Sequence, residues 1–179
     1  MKMLGKFALF ALAMLLIAAP TAAQDAPWKH GDDEYAVDFK FTRSNTDGEW
    51  DSTLSGAWLH FATDRVQIGT AASFVRDEGE EGGGAGPAFE YNFPALRRGH
   101  FFVGGDAQAL AGEMSALASL RAAARFGYKV HVGNSSAIRI AFDAKRPINE
   151  ADEDAGDRLR EVGLTVGFSL GVTPQTTVQ

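Results

Sequence analysis

Residues 120–132 read LRAAARFGYKVHV, and whether they wind as a helix or extend as a strand decides the fold. Arg121, Arg125 and Lys129 recur every fourth residue, which would line one side of a helix. The overlapping MSALASLRAAA is also made of good helix formers. From Ala124 onward the helix fails. Phe126, Tyr128, Val130 and Val132 are aromatic or β-branched, alternate strictly, and are interrupted by Gly127. The stretch reads as a strand with Arg121, Arg125 and Lys129 on one face, and a helical turn before Ser119 is the alternative.

The same period of two recurs along the chain. In EYAVDFKFT, Tyr35, Val37, Phe39 and Phe41 oppose Ala36, Asp38, Lys40 and Thr42. From 65 to 75, Val66, Ile68, Thr70, Ala72 and Phe74 oppose Gln67, Gly69, Ala71 and Ser73. PAFEYNF sets Phe89, Tyr91 and Phe93 against Ala88, Glu90 and Asn92. From 101 to 109, Phe101, Val103, Ala107 and Ala109 oppose Gly104, Asp106 and Gln108. IRIAFD sets Ile138, Ile140 and Phe142 against Arg139, Ala141 and Asp143. EVGLTVGFSL sets Val162, Leu164, Val166, Phe168 and Leu170 against Glu161, Gly163, Thr165, Gly167 and Ser169. WDSTLSGAWLHF at 50–61 is ambiguous: Leu54 and Trp58 fall on one face, Ala57, Leu59 and Phe61 on the other, and a bulge would reconcile them. Eight strands result.

Met1–Ala23 holds Lys2 and Lys6, an apolar run from Phe7 to Ala19, and small residues before a cut after Ala23. This is the pattern of a secretory signal peptide, and its apolar run is shorter than a spanning helix needs. Cleavage would leave 156 residues, enough for one domain, and would move the formal net charge from −6 to −8. Such a surface lacks the basic footprint that nucleic acid requires. The absence of cysteine rules out a disulfide scaffold, thiolate metal ligands and a lipid-modified cysteine. No later stretch is long and apolar enough for a helical span, so a membrane role would need strands.

The first, third and seventh connections (SNTDGEW, RDEGEEGGGAG, KRPINEADEDAGD) are polar, and the last two are long and acidic. The second, fourth and sixth (ATD, PALRRGH, GNSS) are compact; GEMS, the fifth, breaks the pattern by being short. In an up-and-down barrel the odd connections share one end.

A soluble barrel would turn its apolar faces inward, whereas a membrane barrel turns them to lipid and its polar faces to the lumen. The polar faces carry Lys40, Arg121, Arg125, Lys129 and Arg139 against Asp38, Glu90, Asp106, Asp143 and Glu161, five of each sign. An eight-stranded interior is only wide enough for side chains, so luminal charges must pair. Gly69, Ala71, Ser73, Gly104, Ala123, Gly127, Ala141, Gly163, Gly167 and Ser169 share those faces and leave room for long basic side chains. The complementary faces place Tyr35, Val37, Phe39, Phe41, Phe89, Tyr91, Phe126, Tyr128, Ile138, Ile140, Phe142, Val166 and Phe168 toward lipid. Tyr35, Trp50, Phe61, Phe93, Phe101 and Tyr128 lie near strand ends, where interfacial aromatics belong.

A signal peptide, eight alternating strands, GYKVHVGNSSAIRIAF as two strands about a tight turn, and VGLTVGFSL as a closing strand together resemble the small outer-membrane β-barrels of the OmpA transmembrane-domain and OmpX type. The resemblance covers the mature chain and rests on pattern. It implies a Gram-negative outer membrane, a closed barrel, contact with outer-membrane lipid and lipopolysaccharide, and insertion by the barrel-assembly machinery. The chain departs from such proteins in lacking a terminal aromatic residue, since Phe168 is followed by SLGVTPQTTVQ.

Candidate chemistry is sparse. His131 precedes Asn134, Ser135 and Ser136, but those serines fall in a turn and lack the arrangement of a nucleophile with its base, so His131 reads as luminal or interfacial. Asp152, Asp154 and Asp157 beside Gly156 resemble part of a calcium loop without its closing Glu, which leaves weak divalent-cation binding at the acidic loops. GEEGGGAG lacks the Lys-Ser/Thr of a phosphate loop and reads as a flexible connection.

The expected organisation is a signal peptide over 1–23, an N-terminal linker over 24–33, an all-β, eight-stranded antiparallel up-and-down transmembrane barrel over 34–171, and a tail over 172–179. The expected function is structural or surface-interacting, with a charged, plugged lumen that is not a general porin, no catalytic residues, no metal and no cofactor. A soluble lipocalin-like barrel holding a hydrophobic ligand is the alternative, and an envelope lipid-modifying enzyme is the third.

Overall fold

The alternation along LRAAARFGYKVH is a strand in the computed structural model, and seven others join it. The structure describes residues 28–43, 50–77, 80–94, 99–149 and 161–173. In chain order the strands are β1 (Asp33–Arg43), β2 (Trp50–Phe61), β3 (Val66–Asp77), β4 (Glu80–Asn92), β5 (Gly99–Gly112), β6 (Leu120–His131), β7 (Ser136–Pro147) and β8 (Glu161–Val172). Each pairs antiparallel with its sequence neighbours, and β1 closes against β8 from Asp33↔Val172 to Lys40↔Thr165. Closure gives every strand two partners and leaves no free edge. The one helix among the described residues is a single turn, α1 (Met114–Leu117), so the helical turn before Ser119 and the strand after it both exist.

The compact connections β2–β3, β4–β5 and β6–β7 lie at one end of the barrel with Asp33 and Val172, here called the turn end. The other four lie at the opposite, loop end. Asp152, Asp154 and Asp157 fall outside the described residues.

Three expectations are corrected. From Glu80 on, GEEGGGAG is strand and not flexible loop: Arg76↔Glu81, Val75↔Gly82 and Phe74↔Gly83 are paired, and the ladder reaches Asp77↔Glu80. Glycine is a poor strand former, but here neighbours use the space it leaves. A Cβ at Gly84 would lie 3.0 Å from Gln108 Oε1 and from Leu110, and one at Gly82 would meet Met114. Second, β2 has no bulge. Its register is unbroken against both neighbours, with Leu54 and Trp58 exposed outward and Leu59 and Phe61 buried inward. Its two apolar faces reflect an interior that turns apolar at the turn end. Third, Phe61 is therefore an interior residue and not an interfacial one.

Part of the expected linker is also structured. Lys29 N–H donates to Asp32 Oδ2 (2.8 Å), Gly31 takes φ +91°, and Gly31 N–H donates to Phe61 O (2.9 Å). This turn carries Trp28 into the turn end, where it packs with Phe61 and Ala137. Met114 of α1 performs the equivalent at the loop end, packing with Val75, Leu110 and Ala118.

The inward glycines set a stability limit. A Cβ at Gly127 would lie 2.5 Å from Ile140 O and 2.7 Å from both Ala141 Cβ and Phe102, whereas at Gly56 the nearest atom is 3.8 Å away. Gly127→Ala is expected to lower unfolding free energy by about 1–3 kcal/mol through overpacking. Gly56→Ala is expected to stay within about 0.5 kcal/mol of the parent. Urea midpoints of the detergent-folded proteins compare them.

Candidate functional site

The inward faces of the strands converge on a column of charge. Nearest the turn end, Lys129 Nζ lies 2.6 Å from Glu34 Oε2 and also pairs with Glu90. Arg139 bridges three acids: Glu34 Oε1 at 2.8 Å, Glu90 Oε2 at 2.8 Å and Asp38 Oδ1 at 3.4 Å. Phe102, fully buried, lies below both cations, its ring centre 4.6 Å from the Arg139 guanidinium and 5.2 Å from Lys129 Nζ. Ring faces attract cations most strongly where water is excluded.

Toward the loop end, Lys40 Nζ lies 3.6 Å from Asp143 and 3.4 Å from Glu161, and Lys145 Nζ lies 2.8 Å from Glu161 and 3.8 Å from Asp143. Arg125 pairs with Asp106. Arg121 instead donates to Ser73 Oγ (2.7 Å) and Gln108 Oε1 (3.2 Å). The small inward residues provide the room. A side chain at Gly163 would run into the stem of Lys40, and one at Gly167 into the carboxylate of Asp38.

Of the expected luminal residues, Asp38, Lys40, Glu90, Asp106, Arg121, Lys129, Arg139 and Asp143 are buried, and Arg125 and Glu161 are partly so. Sequence reasoning missed Glu34 and Lys145, one of each sign, although both share the inward phase of their strands. With them the described interior side chains include six acids (Glu34, Asp38, Glu90, Asp106, Asp143, Glu161) and six bases (Lys40, Arg121, Arg125, Lys129, Arg139, Lys145). Gln67 and Asn92, placed on the polar faces by the alternation, are buried inside, whereas His100 and Phe102 were missed. Each follows from continuing the alternation toward the turn end.

The opposite faces point away from the barrel. Tyr35, Val37, Phe39, Phe89, Phe126, Phe142, Val166 and Phe168 are exposed, Phe39 by 50% and Phe142 by 65%. Tyr91, Tyr128, Ile138 and Ile140 share this outer face half-covered by neighbours, Tyr128 by Phe101 at 4.8 Å between ring centres. The side chains of Phe41 and Trp50 fall outside the described residues. His131 points inward, its Nε2 3.0 Å from His100 Nδ1.

A buried ion network is costly to break at one member. Arg139→Met leaves Glu34, Asp38 and Glu90 with Lys129 alone and is expected to cost about 3–5 kcal/mol. Adding Glu90→Gln removes one of the stranded acids, so the double variant should be more stable than Arg139→Met by itself, with a coupling of about 0.5–3 kcal/mol. Urea unfolding of the four proteins in this cycle measures it; strict additivity would contradict a shared network.

No protein-family model and no curated sequence matches the chain. Among solved structures it is similar to the N-terminal β-barrel domain of Pseudomonas aeruginosa OprF, with 11% identity, 81% of this chain and 100% of that one covered, and a TM-score of 0.58. It is similar to a de novo designed transmembrane β-barrel at 9% identity, covering 81% and 98% of the two chains with a TM-score of 0.57. It is also similar to Neisserial surface protein A at 9% identity, covering 80% and 98%, with a TM-score of 0.53. These likenesses span nearly the full length of each compared chain, and the fold they share with this protein is the small, closed, eight-stranded up-and-down β-barrel.

Proposed function

We propose that the protein is an integral barrel of a Gram-negative outer membrane, exported by its N-terminal segment, with a structural or surface-interacting role. The observation that carries this reading is the inversion of polarity: large apolar side chains cover the outside of the barrel while paired charges fill it. An outward ring of Phe, Val and Leu is unfavourable in water at this extent and suits acyl chains. Its partners are then outer-membrane lipid and lipopolysaccharide around the belt, and the barrel-assembly machinery during insertion.

The lumen is read as closed to solutes. Its support is the column of ion pairs together with an apolar cluster at each mouth, Trp28 with Phe61 and Ala137 at one and Met114 with Val75 and Leu110 at the other. A lipocalin-like binder would need an apolar interior for its ligand, which the charged interior disfavours. A lipid hydrolase built on His131 would need an acid and a nucleophile on that ring, where His100 stands instead.

The protein is expected to stay in the membrane pellet through urea washing, to migrate differently on gels before and after boiling, and to add little conductance to a planar bilayer. Recovery in the supernatant would favour the soluble barrel, and a stable large conductance would contradict the closed lumen. Phe142→Arg separates the media further. Phe142 pairs with Phe126 and Leu164 in the middle of β7, so the substitution is expected to cost about 2–4 kcal/mol in lipid vesicles; a neutral effect would point to water around the belt.

A further inference from the structure

A chain of hydrogen bonds at the turn end starts from a carboxylate and fixes the orientation of every group after it. Lys129 and Arg139 anchor Glu34, so Gln67 turns its Nε2 hydrogens to Glu34 Oε2 (2.8 Å) and its Oε1 away. Gln67 Oε1 then accepts from Asn92 Nδ2 (2.6 Å), which leaves Asn92 Oδ1 facing His100 Nε2 at 2.8 Å. An oxygen there requires the proton of His100 on Nε2, so neutral His100 presents a bare Nδ1 to His131 Nε2 at 3.0 Å. His131 must donate through Nε2. Its own Nδ1 is thus a lone pair, buried and without a hydrogen-bond partner among the described residues.

We infer that His131 Nδ1 is a proton-binding site whose occupation releases Trp28 from the mouth of the barrel. The Trp28 indole lies across the His131 ring, centroids 5.2 Å apart at 81°. The titratable groups acting on His131 are Lys129 of its own strand, His100 of β5 and Glu34 of β1. Across the register His131 pairs with Ala137 of β7, and Ala137 with Ser169 of β8, both uncharged. In the segment before β1, Asp32 is turned to Lys29 N–H and His30 to Phe61 O (3.2 Å). Glu34 is the one acid within reach, and two cations already hold it.

An imidazolium formed at Nδ1 therefore has no free counter-charge and needs water. The wall around it cannot open, because every strand is paired on both sides. Trp28 belongs to no strand: among the described residues it is held at the mouth by the turn over residues 29–32, by packing on Phe61 and Ala137, and by the Lys129 ammonium 5.6 Å from its ring centre, and it is the part that yields. This device goes beyond the proposed function and does not depend on the medium around the belt.

The test uses the full chain folded in detergent with Trp50 and Trp58 replaced by Phe, so that Trp28 alone emits. Lowering the pH stepwise from about 8 to about 3, through and below the ordinary range of histidine, is expected to shift its emission reversibly to the red. The further substitution His131→Gln should abolish the shift while the gel mobility difference on boiling persists. No shift with His131 present, or an equal shift in His131→Gln, overturns the inference. Nitrogen NMR of labelled histidine provides a check without that variant: at about pH 8 His131 should carry its proton on Nε2, and a proton on Nδ1 there would overturn it equally.

Discussion

An eight-stranded barrel is too narrow to hold bulk water, so any charge that enters must be neutralised by another side chain. That constraint organises this protein. Among the described side chains six acids and six bases meet inside. The turn half holds Glu34, Asp38 and Glu90 against Lys129 and Arg139, while the loop half holds Asp106, Asp143 and Glu161 against Lys40, Arg121, Arg125 and Lys145. Inward glycines are the counterpart, because Lys40 and Asp38 lie where Cβ atoms at Gly163 and Gly167 would be.

The same constraint explains what could be read from residues alone. Alternation is a local property, and in β1, β3, β5, β6, β7 and β8 it placed the outer Phe and Val residues and most of the inner charges on opposite faces. Reading stopped where chemistry changed along a strand. Near the turn end the interior becomes apolar and amide-rich, so Leu59 and Phe61 disguised the phase of β2, and Phe102 did not stand out as a luminal ring. Glu34 and Lys145 were missed because they lie beyond the core of each alternating run. In β4 the signal was inverted: a glycine run reads as loop, yet its emptiness is what Met114, Leu110 and Gln108 occupy from the neighbouring elements. Trp28 could not be placed at all, since its position depends on a turn closing back onto β2.

Function is limited in the same way. The barrel's fold is shared with proteins of about a tenth sequence identity, and fold by itself assigns no ligand. Among the described luminal side chains, the acids and bases of the column are paired with one another, and the amide chain ends at the open Nδ1 of His131.

The central claim is the inverted polarity, and site-directed spin labelling in lipid vesicles measures it most directly. Labels replacing Phe39, Phe89, Phe142 and Val166 one at a time should be relaxed strongly by oxygen, which partitions into acyl chains, and weakly by a water-soluble nickel chelate. The reverse ranking at these four positions would place the apolar belt in water and contradict the account.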